Sequence, residues 1–187
     1  MKDAFRALTL AAAAAAVAGV ATVAYAANPQ VGGAPMYTNK NIVENAVNSK
    51  DHTTLVAAVK AAGLAGTLQG EGPFTVFAPT NEAFAALPAG TVDALLQPNM
   101  KKTLQTVLTC HVVSAKAMSP AIEGMIADDG GKHVVPTVGG CNLIAWEKDG
   151  IIMLEDENGN VASVTQPDVE QSNGVIHVID TVLLPKS

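Results

Sequence analysis

The pair of residues best suited by type to nucleophilic chemistry is Cys110-His111, a thiol next to a base. Such chemistry needs the imidazole within hydrogen-bond reach of the sulfur. Cys110 to Val113 reads as a strand, and neighbouring strand residues point to opposite faces, so His111 does not serve Cys110. The remaining histidines, His52, His133 and His177, show no metal-ligand spacing with it or with each other. His111 and His177 sit in apolar runs, where a hydrogen-bonded core role fits them. The sequence holds no Gly-x-Ser-x-Gly elbow, phosphate loop, Cys-x-x-Cys or His-Glu-x-x-His. In Glu155 to Asn160, the residues Asp156, Asn158 and Asn160 alternate as in a calcium loop. Val161 stands where that loop needs Gly, however, and Pro167 where it needs a bidentate Glu. A solvated hairpin turn accounts for the stretch, with weak calcium binding left open. No enzyme, cofactor or metal centre follows from these residues.

The second cysteine, Cys141, takes its meaning from the N-terminus. Lys2 and Arg6 precede an apolar stretch from Ala7 to Val23, which runs into Ala24-Tyr25-Ala26. Residues 1–26 read as a cleaved signal peptide, the alternative being an uncleaved anchor. No later segment is long enough to span a membrane after cleavage. The chain is therefore read as exported, to a periplasmic or extracellular destination. In that oxidising setting Cys110 and Cys141 are candidates for a disulfide closing a loop of about 30 residues. Two separate buried thiols, packing as small apolar groups, are the alternative.

Charge narrows the partners. The leader takes Lys2, Arg6 and Asp3 out of 11 basic and 17 acidic residues, leaving 9 and 16 and a net charge of −7. Displacing phosphate counterions needs a clustered cationic face, and Lys101-Lys102 is the nearest approach to one. Nucleic acid and anionic membrane surfaces are poor partners.

These residues must be held by a chain whose hydrophobic period changes along its length. Residues 27–36 are small, polar or Pro/Gly-bearing and read as a disordered N-terminal tail. Residues 37–187 read as one domain. Ile42 to Val47 and Leu55 to Val59 follow helical spacing, with Ser49 or Asp51 as N-cap and Gly63 as a stop. Phe74 to Ala78 is a buried strand ended by Pro79, and Thr80 caps the helix after it. Thr91, Pro98 and Ser119-Pro120 open further helices. From His133 the period is two, over segments separated by Gly139-Gly140, Lys148-Asp149-Gly150 and Asn158-Gly159. Val175 to Ile179 is apolar on both faces, as a strand buried on both sides must be. Helices first and strands later define an α+β class.

Three segments carry a resemblance. Thr75 to Phe84 (TVFAPTNEAF) is similar to the first signature of fasciclin domains, and Asn173 to Pro185 (NGVIHVIDTVLLP) to the second. Leu108 to Val113 (LTCHVV) resembles the family's central Tyr-His segment, with Cys110 in the place of the usual Tyr. The resemblance spans about Tyr37 to Pro185. It implies a wedge of β-strands packed with several helices, acting outside the cytoplasm in adhesion. The implied partner is a protein, matrix or cell-envelope component. It further implies that Asp168-Val169, just before the last signature, matches an Asp-aliphatic pair associated with receptor contact; a plain loop capped by Asp168 is the alternative. Thr80, His111 and His177 are read as structural members of the motifs. The expected function is a non-catalytic interaction module. A carrier holding a small apolar ligand between helices and sheet is the second reading, and a hydrolase, without a motif behind it, the third.

Overall fold

The two periods become two structural halves sharing one sheet. A computed structural model of the chain describes residues 28–186; the expected leader, residues 1–26, lies outside them. The helices are α1 (Ile42–Ala46), α2 (Thr53–Ala62), α3 (Ala65–Leu68), α4 (Asn81–Ala85), α5 (Thr91–Leu95), α6 (Lys101–Thr109) and α7 (Ser119–Asp128). The strands are β1 (Gln30–Val31), β2 (Ala34–Pro35), β3 (Phe74–Pro79), β4 (Val112–Val113), β5 (Lys132–Pro136), β6 (Asn142–Lys148), β7 (Ile151–Glu155), β8 (Val161–Gln171) and β9 (Gly174–Ile179).

Local chemistry sets the element ends. The Asn41 side chain accepts the Glu44 N–H at 2.9 Å while the Glu44 carboxylate accepts the Asn41 N–H at 2.9 Å, a capping box for α1. Gly63 at φ 75° stops α2 in the left-handed region. The Thr80 hydroxyl accepts the Ala83 N–H at 3.3 Å and starts α4, as its position after Pro79 predicts. Thr91 differs from expectation, because Gly90, at φ 83°, occupies the cap and Thr91 is the first residue of α5.

β3 to β9 form a seven-stranded sheet in the order β4-β3-β9-β8-β7-β6-β5. Within it β3 and β9 run parallel, with Val76 opposite Ile176 and Phe77 opposite His177, and the other pairs are antiparallel. Beyond β5, the Val138 N–H donates to the Val112 carbonyl at 2.8 Å, so the far end of the sheet bends back toward β4. The result is the α+β wedge that the sequence implies. Every residue of β9 is buried. Ile176 and Val178 join Val59, Ala62 and Leu104 under the helices, while Ile179 joins Phe77, Leu143 and Leu154 beneath Ile122 and Ile126 of α7.

Residues 28–36 correct the expectation of a disordered tail. β1 and β2 pair as a hairpin, with Val31 6% and Met36 1% exposed. The Lys50 N–H donates to the Gly32 carbonyl at 3.2 Å and the Gln166 side-chain amide to the Gln30 carbonyl at 3.1 Å. Strands of two residues show no period, so the two apolar anchors leave no pattern in the sequence.

Candidate functional site

The residues capable of chemistry are consumed by the scaffold. Cys110 does not open the strand expected from Cys110 to Val113 but ends α6: its N–H donates to the Thr106 carbonyl at 2.9 Å, and the strand shrinks to Val112–Val113. Its sulfur is bonded to that of Cys141, with Cα atoms 5.3 Å apart, within the ordinary range for a disulfide. The bridge ties the end of α6 to the residue before β6, and both cysteines are buried. His111 bonds to neither sulfur. Its Nδ1–H donates to the Val107 carbonyl at 2.8 Å, and its Nε2 accepts the Leu183 N–H at 3.0 Å. One partner can only accept and the other only donate, so the tautomer is fixed. Burial pushes the imidazole down to about 4, against the opposing pull of the Val107 carbonyl and the Asp156 charge.

Asp168 lies inside β8, which bulges on both sides of Gln166, and not in a plain loop. Its backbone is left-handed, at φ 57°. The carboxylate accepts the Ser119 N–H at 2.7 Å and also the Ser119 hydroxyl. The Asp168 N–H donates to His177 Nδ1 at 3.2 Å, and His177 Nε2–H donates to the Ala117 carbonyl at 2.8 Å. Burial lowers the His177 pKa, opposed by the Ala117 carbonyl and the Asp168 charge. Ser119, Asp168 and His177 are the residue types of a hydrolytic triad, but their wiring differs. The hydroxyl donates to the carboxylate and not to the imidazole, so nothing takes up its proton as a nucleophile requires. Val169 is fully buried among core side chains. Of the pair Asp168-Val169, the valine offers no surface and both carboxylate oxygens are engaged.

Glu157 to Asn160 form the exposed hairpin turn expected of this stretch, but the Asp156 side chain at its base is internal, 3% exposed. Its carboxylate accepts the N–H groups of Asn158, Asn160 and Leu184 and the Asn160 side-chain amide, at 2.8–2.9 Å. It organises the β7–β8 turn and pins the C-terminal segment. Among the described residues no three His, Cys, Asp or Glu side chains gather as a metal site.

A surface absent from the sequence reading lies on the sheet. Strand register places Lys132, Trp146, Met153 and Ser163 in one row and Val134, Ile144, Glu155 and Val161 in the next. Ile151, opposite Lys148, extends the same face. The other face, bearing Leu143, Ala145, Ile152, Leu154 and Ala162, is the core. Val134, Ile151 and Val161 are 54%, 45% and 39% exposed. Trp146, the chain's one tryptophan, lies half-buried among them. Lys132 pairs with Glu155 across the patch at 3.8 Å, and the exposed Lys148 borders it. The signal was present in the sequence: Leu143 to Trp146 and Ile151 to Leu154 are apolar at consecutive positions. A strand exposed on one face should alternate instead.

Fold and site together define an α+β wedge whose polar side chains serve the scaffold, with an apolar patch on the sheet's outer face. The fasciclin domain model matches residues 50–185, and the chain belongs to the fasciclin family. It is 49% identical over 145 residues to Protein sll1483 of Synechocystis sp., covering 77% of this chain and 73% of that one. It is 34% identical over 146 residues to the cell surface glycolipoprotein MPB83 of Mycobacterium bovis, covering 75% and 58% of the two chains. A solved FAS1 domain pair from the insect cell adhesion molecule Fasciclin I shares the fold, with a TM-score of 0.68 and 18% identity. That likeness covers 78% of this chain and 51% of the other.

Proposed function

We propose that this chain is an exported, non-catalytic interaction module that binds a protein of the cell envelope or its surroundings through the outer face of β5–β8. The observation behind this is the apolar patch around Trp146 with a rim of mixed charge. An apolar centre inside a polar rim is the anatomy of a protein–protein interface, and tryptophan is among the residues that dominate binding energy there. Interleaved Lys and Glu give no single-sign field, which disfavours a polyanion. Two relatives support the setting, one named a cell-surface glycolipoprotein and the other taken from a cell adhesion molecule. The sequence of residues 1–26 supports export.

The test places a photo-crosslinking residue at Ile151 or, as a control, at Asp93 in α5, and exposes the protein to its native envelope fraction. One discrete protein adduct should form from position 151 and not from position 93. Trp146→Ala should weaken capture of that protein at least tenfold, measured at a temperature where circular dichroism shows the variant folded. Equal adducts from both positions, or capture indifferent to Trp146→Ala, would refute the proposal.

A further inference from the structure

A second site lies under the helices, over the β3–β9 part of the sheet. A cavity of about 80 Å³ separates α1, α2 and the α3 turn from β3 and β9. That is several times the roughly 10–15 Å³ that holds one water. Interiors otherwise pack with few voids larger than a water, and an empty one is costly. Ala46, Val56, Leu64 and Ala65 line it and are only partly buried, which puts its mouth between the helices. The N-terminal hairpin closes another side, with Val31 and Met36 in the lining.

The polar side chains on this lining spend their protons elsewhere, and almost all of the surface that faces the cavity is apolar. The Ser49 hydroxyl bonds His52 Nδ1 at 2.8 Å, and His52 Nε2 faces the Ala78 carbonyl at 3.4 Å. The Thr109 hydroxyl donates to the Gln105 carbonyl at 2.7 Å, and both nitrogens of His111 are engaged. Lys60 and Thr67 are exposed and keep their polar ends in water. A water inside would lack the two to four partners it needs, and a buried ligand hydroxyl or amide would be stranded.

We propose that this cavity binds a small apolar molecule, a single aromatic ring or short hydrocarbon with no hydrogen-bonding group at its buried end. Entry is between α1 and α3, and Met36 touches the bound molecule. The site is independent of the outer sheet face, so either can fail without the other.

Toluene serves as the probe, with protein labelled at the methionine methyls. Titration should move the Met36 methyl resonance saturably and leave those of Met100, Met118, Met125 and Met153 in place. Phenol, of nearly the same shape but with a hydroxyl that finds no partner, should bind at least tenfold more weakly. Ala46→Leu and Ala65→Leu each fill part of the mouth and should each weaken toluene at least tenfold; with two variants, one that fails to fold leaves the other. The proposal is overturned if Met36 stays unmoved near toluene saturation or if the other methionines move with it. Phenol binding as well as toluene, or a folded variant binding toluene as the wild type does, overturns it equally.

Discussion

The Asp168 carboxylate accepts the backbone N–H of Ser119 at 2.7 Å, across 49 positions of sequence. α7 has Met118 at its N-cap and no capping side chain of its own, so the bulged strand β8 supplies the cap from a distance. Asp168→Ala should therefore lower stability. Losing a cap costs about 0.5–2 kcal/mol, and holding alanine left-handed at φ 57° adds about 1 kcal/mol or more. Asp168→Asn keeps an accepting oxygen and tolerates the backbone, so it should cost clearly less. Urea unfolding of the three proteins measures this, and equal losses for Ala and Asn would contradict the cap.

Stability should also fall as the solution is acidified through the range in which free histidine titrates. His111 is held near 4 when folded and titrates near its ordinary 6.5 when unfolded. Between those values the unfolded chain binds the extra proton, so stability rises with pH across the window and levels off above it. The full difference is about 3 kcal/mol by the linkage relation. His52 and His177, also lowered by burial, act in the same direction. The urea midpoint measured from pH 4 to 7 reads the effect, and a His111→Gln variant should show a flatter profile than the wild type. Superimposable profiles would mean that the buried imidazole does not govern it.

How much of this was legible depended on whether each signal was local. Thr80 after Pro79, Gly63 after α2 and the apolar run of β9 declare themselves because a cap, a stop and a doubly buried strand depend on neighbouring residues. Cys110 misled because its apolar neighbours suit a strand as well as a last helical turn, and only the Thr106 carbonyl decides between them. Asp168 was read as surface because nothing nearby shows that Ser119, 49 residues away, will need a cap. The outer sheet face was missed for a related reason. Consecutive apolar residues in β6 and β7 signal burial of both sides, and only the sheet order shows that one side has no covering layer.

The Cys110–Cys141 bridge should contribute strongly to stability. The cysteines are 31 positions apart, for which the chain-entropy relation gives about 3–4 kcal/mol. Because both are buried, reductant alone should act slowly on the folded protein and fast once urea unfolds it. Thiol labelling of denatured, unreduced protein should find no free cysteine, and the Cys110→Ser/Cys141→Ser double variant should unfold at markedly lower urea. Two labelled cysteines in the unreduced protein would rule out the bridge.

The parallel pairing of β3 with β9 joins the two halves of the core, and Gly174 begins it opposite Phe74. A Cβ on residue 174 would collide with the Phe74 carbonyl oxygen and with the Phe74 backbone C and N atoms. Backbone in the centre of a sheet cannot move aside as a flexible side chain can. Gly174→Ala should therefore cost about 3 kcal/mol or more, at the upper end of overpacking effects. Gly159→Ala is the control. Gly159 is left-handed, at φ 83°, but has no heavy atom within 4 Å of the added Cβ, so its cost is confined to the backbone strain of about 1–2 kcal/mol. Thermal unfolding of both variants gives the comparison. A Gly174→Ala protein no less stable than Gly159→Ala would show that β3 and β9 do not approach as closely as this register requires.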